Sequence, residues 1–463
     1  MLRIFNQYYP IRNILFFLME GALIFFAVIV ASYIRFGGYA TIYLINDLGI
    51  IKALLITLIC QICLYYFDLY DFKVTNTNME LGVRLLQALG ISSIILAVIY
   101  YLFPPLVIGR GIFLITLFFL IAFVVLWRLL YNWLLITKRF AKRVLIIGSG
   151  DFATDITKEI FDKKDSGFYV VGFLGDNFDK VGISIVNPKV IGTYNQLPQI
   201  AEKENVDKIV IAIQEKRGKM PMKELLKCRM KGIEVEDGTT FYERLTGKMA
   251  VENLNPSSLI FSEGFSQLRI TNTKRLFELI LSVIALVLLS PLFLITSLLI
   301  KLDSSGPVFF YQKRVGKDGE VYRLVKFRSM RDNAESYTGP VWAQTDDDRI
   351  TRVGRIIRKT RIDELPQLFN VMKGHMSIVG PRPERPFFVK RLEGKVPYYS
   401  LRLCVKPGIT GWAQIKYSYG ASIYDSLIKL QYDIYYIKNM SMFLDLLIIF
   451  ETIKVVLFGK GAR

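Results

Sequence analysis

The chain has 463 residues, 59 Lys and Arg against 40 Asp and Glu, a formal charge of +19, and 52% hydrophobic residues. Its apolar residues are gathered in long runs, which excludes a purely soluble protein and places it in a lipid bilayer. One histidine and four cysteines exclude His-based triads, multi-histidine relays, zinc clusters and a disulfide framework. The excess positive charge suits lipid head groups, nucleotides or pyrophosphates. No nucleic-acid-binding motif accompanies it, so nucleic acid is not expected as a partner.

Four apolar runs, at residues 14–34, 50–67, 85–104 and 112–136, are each long enough to cross a bilayer as a helix. Cys60 and Cys63 have a C-x-x-C spacing but lie inside the second run, with no other ligand to complete a metal site. Arg3 and Arg12, Lys73 and Arg84, and Lys138, Arg139, Lys142 and Arg143 flank alternate ends of the spans. The positive-inside rule then puts both ends of this bundle in the cytoplasm.

At Arg143 the composition changes to Val144-Leu-Ile-Ile147-Gly148-Ser-Gly150-Asp-Phe-Ala153, an apolar strand entering a glycine turn and a helical pattern. This fits a Rossmann-type G-x-G-x-x-A turn, with a second strand at 169–174 ending near Asp176. Further strands are expected at 208–213 and 232–235. Gly148, Gly150 and Asp176 are the candidate nucleotide residues; the same turn also serves a purely structural or regulatory α/β domain. A Tyr-x-x-x-Lys motif is absent from the segment.

A polar connector leads to a fifth apolar run, 279–300, broken by Ser290-Pro291. Pro291 removes a backbone donor and clashes with the preceding turn, so a kink is expected there. Basic residues flank both ends of the run. A full crossing would carry the basic remainder of the chain outside, so a re-entrant helix that enters and leaves on the cytoplasmic side is favoured. Residues 308–327 read as a hairpin around Gly316-Lys-Asp-Gly319. The segments 423–437 and 442–457, apolar and aromatic with scattered charges, suit helices lying in the interface plane.

The chemistry concentrates near residue 363. Arg349, Arg352, Arg355, Arg358 and Arg361 recur every third residue and run into Asp363-Glu364. On a helix such a ladder keeps guanidinium groups close, and like charges this close repel unless an anion sits among them. Adjacent acids on a helix point about 100° apart, which suggests different tasks, one as nucleophile and one as metal ligand. A site this sparse in carboxylates suits Mg²⁺, which completes its shell with water and phosphate. The same residues would also serve as an acid pair neutralising a basic surface.

Four motifs follow one another: Lys326-Phe-Arg-Ser-Met330, Arg361-Ile-Asp363-Glu364-Leu-Pro-Gln, Ser377-Ile-Val-Gly-Pro-Arg-Pro383 and Lys406-Pro-Gly-Ile-Thr-Gly-Trp-Ala-Gln414. Together they resemble the monotopic polyprenyl-phosphate phosphoglycosyl transferases among the bacterial sugar transferases, over residues 272–463. The Ser290-Pro291 break is similar to that family's re-entrant helix, and the upstream spans and α/β domain look like its large, hexose-1-phosphate-transferring members. A departure is His375, where relatives often carry an acid.

The resemblance implies a two-step exchange. Asp363 would attack the β-phosphate of a UDP-sugar and release UMP, and undecaprenyl phosphate would then take the phosphosugar. Glu364 would bind Mg²⁺, while Lys326, Arg328, Arg358, Arg361 and Arg382 would hold phosphates. An already anionic acceptor needs no histidine base. The expected architecture is thus a membrane protein of mixed α and α/β class. It has a four-helix transmembrane bundle (1–140), a Rossmann-like α/β domain (141–250) and a connector (251–271). A mostly helical catalytic domain (272–463) follows, with its re-entrant membrane helix at 276–300. The expected setting is the cytoplasmic face of a bacterial inner membrane, at the first membrane step of exopolysaccharide, capsule or O-antigen synthesis, with a homodimer implied by the family. Two other readings stay open at this point: a nucleotide-sugar dehydratase or epimerase, and a non-enzymatic membrane scaffold for polysaccharide export.

Overall fold

In a computed structural model, the described residues are 2–4, 7–70, 78–136, 141–163, 166–213, 220–254, 270–331, 348–417, 420 and 422–458. Lys73, Lys138, Arg139 and most of the expected connector lie outside them. The chain divides into two compact units, one essentially Tyr8–Phe241 and the other essentially Tyr242–Arg463.

The first unit begins with four helices long and apolar enough to cross a membrane. Helix α1 (Ile11–Phe36) runs on through a short turn to Asn46; α2 (Gly49–Tyr66), α3 (Asn78–Leu102) and α4 (Arg110–Ile136) follow. Their mutual contacts bury small and branched residues, among them Ala27, Ala53, Ala88 and Val124, while residues such as Leu54, Leu86, Leu114 and Leu126 stay exposed. Within the bundle Arg128 donates through Nε to Glu20 Oε1 at 2.8 Å and through Nη1 to Leu69 O at 2.6 Å. An ion pair buried at this depth is tolerable only when each charge has its partner.

After the bundle come β1 (Lys142–Ile147), α5 (Asp151–Asp162), β2 (Phe168–Gly175), β3 (Val190–Thr193), α6 (Leu197–Lys203), β4 (Lys208–Ile211), α7 (Met222–Met230), β5 (Glu234–Asp237) and α8 (Gly238–Thr246). The five strands are all parallel in the order β3-β2-β1-β4-β5. Four of them occupy the stretches the sequence points to. Strand β3 was not expected: it is four residues long and contains Gly192, too short for an alternation to register.

The second unit opens with α9 (Ile270–Leu288) and α10 (Ser290–Asp303), bent by 60° at the break between them. Pro291 has no N–H for the carbonyl of Val287, and Ser290 Oγ donates to that carbonyl instead at 2.8 Å. Both helices leave leucines exposed, including Leu276, Leu288, Leu294, Leu298 and Leu302. An antiparallel hairpin, β6 (Phe309–Val315) and β7 (Val321–Phe327), comes next. It is followed by α11 (Arg352–Lys359), α12 (Gln367–Met372), β8 (Ser377–Val379), α13 (Pro386–Glu393), β9 (Gly408–Thr410), α14 (Trp412–Lys416), α15 (Ile423–Lys438) and α16 (Met442–Leu457). Strands β8 and β9 pair in parallel, Ser377 opposite Gly408 and Val379 opposite Thr410.

The core of this unit corrects two expectations. Residues 423–437 do not form a helix on a surface: Leu427, Leu430, Tyr432, Ile434, Tyr435, Tyr436 and Ile437 of α15 are buried against Trp412, Phe388, Leu392 and Ile448. A helix apolar on most of its circumference is a core helix, and its tyrosines find internal partners. The boundary between units also falls earlier than residue 250, since Met249, Val251 and Leu254 belong to this core and Trp412 Nε1 donates to Gly247 O at 2.9 Å.

Candidate active site

Helix α11 is placed by both ends of its first turn. Thr351 accepts from Gly354 N at 2.9 Å, and Asp303, at the end of α10, accepts from Val353 N at 2.9 Å. The arginine ladder does not continue along one helix as the spacing suggests. Arg349 precedes α11, and the helix ends at Lys359, after which Arg361 takes a left-handed conformation with φ 54°. For a non-glycine residue that conformation costs about 1 kcal/mol or more. It reverses the chain into a tight turn, Ile362–Glu364, so that Asp363 and Glu364 stand on a turn and not on a helix face. Pro366 then leads into α12.

Both acids are buried, each with 8% of its surface exposed, but their surroundings differ. Glu364 Oε1 accepts from Lys326 Nζ at 2.8 Å and from Arg382 Nη2 at 2.7 Å, and Oε2 faces Arg361 Nη1 at 3.8 Å. Burial opposes its ionisation, yet Arg382, Lys326 and Arg361 together outweigh burial and hold its carboxyl well below the usual carboxylate range. Asp363 accepts no hydrogen bond among the described residues. Burial pushes its carboxyl up to about 6, reinforced by the charge of Glu364 and opposed by Lys326, Arg358 and Arg382. One acid is thus locked as a fixed anion, and the other is a poorly solvated carboxylate surrounded by positive charge without direct partners. Such a carboxylate has the chemistry of a nucleophile.

The Arg358 side chain is half-buried and makes no hydrogen bond or ion pair among the described residues, although its charge acts on Asp363. Its guanidinium is available for an anion. Arg328 is brought elsewhere: it donates to Ser304 O at 2.8 Å, Ser304 Oγ at 2.9 Å and Ser305 O at 2.7 Å, closing the end of α10. Strand β7, which carries Lys326, is held by Asn370, which accepts from Val325 N at 3.0 Å and donates to Arg323 O at 2.8 Å, on either side of Leu324. Asn370 carried no signal in the sequence beyond being a polar residue in an apolar helix.

The Gly380-Pro-Arg-Pro383 loop arrives from β8. Gly380 and Gly408 pack backbone against backbone: a Cβ on Gly380 would meet Lys406 O at 2.5 Å. At the other end of β8, Ser377 Oγ donates to the Glu278 carboxylate of α9, and Ile378 N donates to the same oxygen at 3.1 Å. Lys274, one turn earlier, donates to Val379 O at 2.9 Å and to Tyr436 OH at 2.7 Å, and lies 3.0 Å from Asp445. A buried polar cluster therefore ties the first half of the bent helix to the strand that leads into the Arg382 loop.

A metal fits this site only sparsely. Among the described residues no group of three His, Cys, Asp or Glu is gathered for one. Two adjacent carboxylates are what Mg²⁺ requires of a protein when phosphates and water complete its shell, and they exclude a zinc-type ligand set.

In the first unit, Gly148 takes φ 116° at the end of β1, where a Cβ would meet the carbonyl of Ala212 at 2.7 Å. Gly150 caps α5, and Asp176 follows β2, where it pairs with Lys180 at 3.0 Å on the surface. The turn therefore needs glycine for backbone reasons, whatever it binds.

Comparison with known proteins adds the following. Residues 269–459 match the profile of the family described as bacterial sugar transferase, and residues 65–232 match that described as CoA-binding domain. The chain is 47% identical over 242 residues to a UDP-N-acetylgalactosamine-undecaprenyl-phosphate N-acetylgalactosaminephosphotransferase of Aeromonas hydrophila, covering 52% of this chain and 56% of the relative. It is 36% identical over 337 residues to an undecaprenyl-phosphate glucose phosphotransferase of Komagataeibacter xylinus, covering 70% and 61%. To a UDP-glucose:undecaprenyl-phosphate glucose-1-phosphate transferase of Klebsiella pneumoniae it is 33% identical over 329 residues, covering 69% of each. The match thus spans somewhat over half the length of the first two relatives. With its motifs on one site and these relatives extending upstream of it, the chain belongs to the bacterial sugar transferases, the polyprenyl-phosphate phosphoglycosyl transferase family.

Proposed function

We propose that this protein transfers a hexose-1-phosphate from a UDP-sugar to undecaprenyl phosphate. In the first step an Asp363 carboxylate oxygen attacks the β-phosphorus. The bond from that phosphorus to the oxygen bridging the α-phosphate breaks, UMP leaves, and the phosphosugar remains as an acyl phosphate. In the second step a phosphate oxygen of the acceptor attacks the same phosphorus, and Asp363 departs as a carboxylate. No proton needs to be removed from either nucleophile, which accords with a chain holding one histidine. One phosphoanhydride is made as another is broken, so the site's task is alignment and charge neutralisation.

The observation that carries this reading is the contrast between the two acids, Glu364 held through Oε1 by Lys326 and Arg382, and Asp363 buried without a side-chain hydrogen bond. Arg358 would take a substrate phosphate. Lys326, Arg361 and Arg382 would share themselves between Glu364 and the diphosphate, whereas Arg328 would support the site through the end of α10. Glu364 would hold Mg²⁺, whose chemistry there is to neutralise the diphosphate and its leaving group.

Around this site we read the bent helix as re-entrant, since its exposed leucines on both arms support immersion and the basic flanks support one cytoplasmic side. The catalytic unit then lies on the cytoplasmic face of a bacterial inner membrane, with a homodimer as its assembly. The parallel strand order, the Gly148 turn and the CoA-binding profile support a Rossmann-type middle domain in which Gly148, Gly150 and Asp176 would meet a nucleotide. The names of the relatives support the donor and acceptor classes and the place at the start of surface-polysaccharide assembly. The test is UMP release by purified protein from a panel of UDP-sugars, with undecaprenyl phosphate and Mg²⁺. Lipid-dependent UMP from at least one donor, absent in Asp363→Asn, is expected. No UMP from any donor by a folded sample overturns the reading.

A further inference from the structure

The loop that presents Arg382 has an unusual fixing problem. Pro381 and Pro383 lack N–H groups, so only Arg382 and Glu384 offer backbone donors and the segment is held chiefly through its carbonyls. All four carbonyls in a row are engaged. Pro381 O accepts from Gly408 N at 2.9 Å, Arg382 O from Arg402 Nη2 at 2.8 Å, Pro383 O from Arg314 Nη1 at 3.0 Å, and Glu384 O from Val315 N at 2.9 Å. Proline rings fix φ on either side of Arg382, and Pro383 confines Arg382 to the extended region, within which ψ at Arg382 still sets how the loop runs past the base of its side chain. The carbonyl direction reports that torsion, and Arg402 holds it.

Arg402 is itself committed from several sides. It is buried with 8% of its surface exposed, donates through Nη1 to Tyr399 OH at 2.6 Å, lies over the Tyr399 ring at 5.2 Å, and pairs with Asp433 at 3.0 Å. Asp433, 2% exposed, stands on the core helix α15. A charged pair sunk this far from solvent opposes burial and contributes little net stability. A planar fork with donors in fixed directions can meet Tyr399, Asp433 and Arg382 at once, and a lysine ammonium cannot match that geometry. Resting on the transferase reading above, we propose that Arg402, braced by Asp433 and Tyr399, is a positioning residue that sets the aim of Arg382 at the donor diphosphate. It connects the core helix to the phosphate clamp and makes no contact with substrate.

The test uses the full chain in lipid nanodiscs and compares wild type, Arg402→Lys, Arg382→Ala and the double variant. Arg402→Lys keeps the charge opposite Asp433, so the thermal midpoint should hold while kcat/KM for the donor falls on the order of 100-fold, as misplacement by an ångström does. In the double variant the lysine should add less than about threefold to the loss from Arg382→Ala, because both act through one group. Losses that multiply, or an Arg402→Lys enzyme within about threefold of wild type, would overturn the proposal. If Arg402→Lys does not fold, Tyr399→Phe in the same cycle removes one brace and should give a smaller, equally non-additive loss; additivity there is the overturning result. Binding of inorganic pyrophosphate separates the two readings. No turnover by wild type with any donor, together with pyrophosphate affinity weakened at least about tenfold in Arg402→Lys, counts against the transferase reading alone. Equal pyrophosphate affinities in wild type and Arg402→Lys overturn the positioning role.

Discussion

Asp363→Asn exchanges a buried carboxylate for a neutral group of the same shape, and its effect on stability can be worked from the site. Burial, with Glu364 beside it, moves the Asp363 carboxyl from an ordinary 3.8 up to about 6, even against Lys326, Arg358 and Arg382. About two units at about 1.4 kcal/mol each is roughly 3 kcal/mol. Because the folded protein holds this proton more tightly than the unfolded chain, stability is greatest at low pH and declines as pH rises from about 4 to about 6. Above that window the wild type lacks roughly 3 kcal/mol that the asparagine variant retains. For a unit of this size that corresponds to a thermal midpoint higher by roughly 5 to 10 °C in the variant. The assay is thermal unfolding in nanodiscs at pH 8, 6 and 4.5. The variant should be more stable at pH 8, and the gap should close toward pH 4.5. A variant less stable than wild type at pH 8, or a gap that ignores pH, refutes the argument that Asp363 is held as a strained anion.

Further expectations follow from the same contacts. Only the ionised Asp363 can attack, so the initial burst of UMP should rise about tenfold per pH unit below about 6 and level off above it; a flat burst between pH 5 and 7 contradicts the assignment. Glu364→Gln leaves Lys326, Arg361 and Arg382 without their anion and should destabilise by roughly 3 kcal/mol, read as a lower thermal midpoint in the absence of substrate. An unchanged midpoint would mean that these cations are not held by Glu364. Lys274→Met strands Glu278 and Asp445 and should cost about 3 to 5 kcal/mol, much of it recovered in Lys274→Met/Asp445→Leu. Equal stability of Lys274→Met and wild type would show that the cluster does not bind the bent helix to β8.

Local rules read well where backbone chemistry decides. The four apolar runs, the break at Ser290-Pro291 and the glycine turn at Gly148 were all legible because length, a missing N–H and a positive φ leave marks on composition. The hairpin was legible from its Gly316 to Gly319 turn. What failed depended on tertiary context. The three-residue arginine spacing suggested one continuous helix, but Arg361 turns left-handed and ends it. The tyrosines of α15 suggested a membrane interface, but they pack into a core that also takes residues from far earlier in the chain, such as Met249. Arg328 lies in a motif two residues beyond Lys326, where a continuing strand would put both side chains on one face, but β7 ends at Phe327 and Arg328 closes the end of α10. Arg402 and Asp433 were missed altogether. A charge flanked by Leu401 and Leu403, and another between Tyr432 and Ile434, were the available signal that both were buried and paired.

The central claim is that Asp363 carries the phosphosugar between donor and acceptor, and intact-mass measurement tests it most directly. Wild-type protein mixed with its UDP-sugar and Mg²⁺, without undecaprenyl phosphate, should gain the mass of one phosphohexose, with the adduct on the peptide containing Asp363 and about one UMP released per chain. Undecaprenyl phosphate should then discharge it, and Asp363→Asn should never acquire it. Unmodified wild-type protein that releases UMP only when both substrates are present would contradict the account and require direct transfer between them.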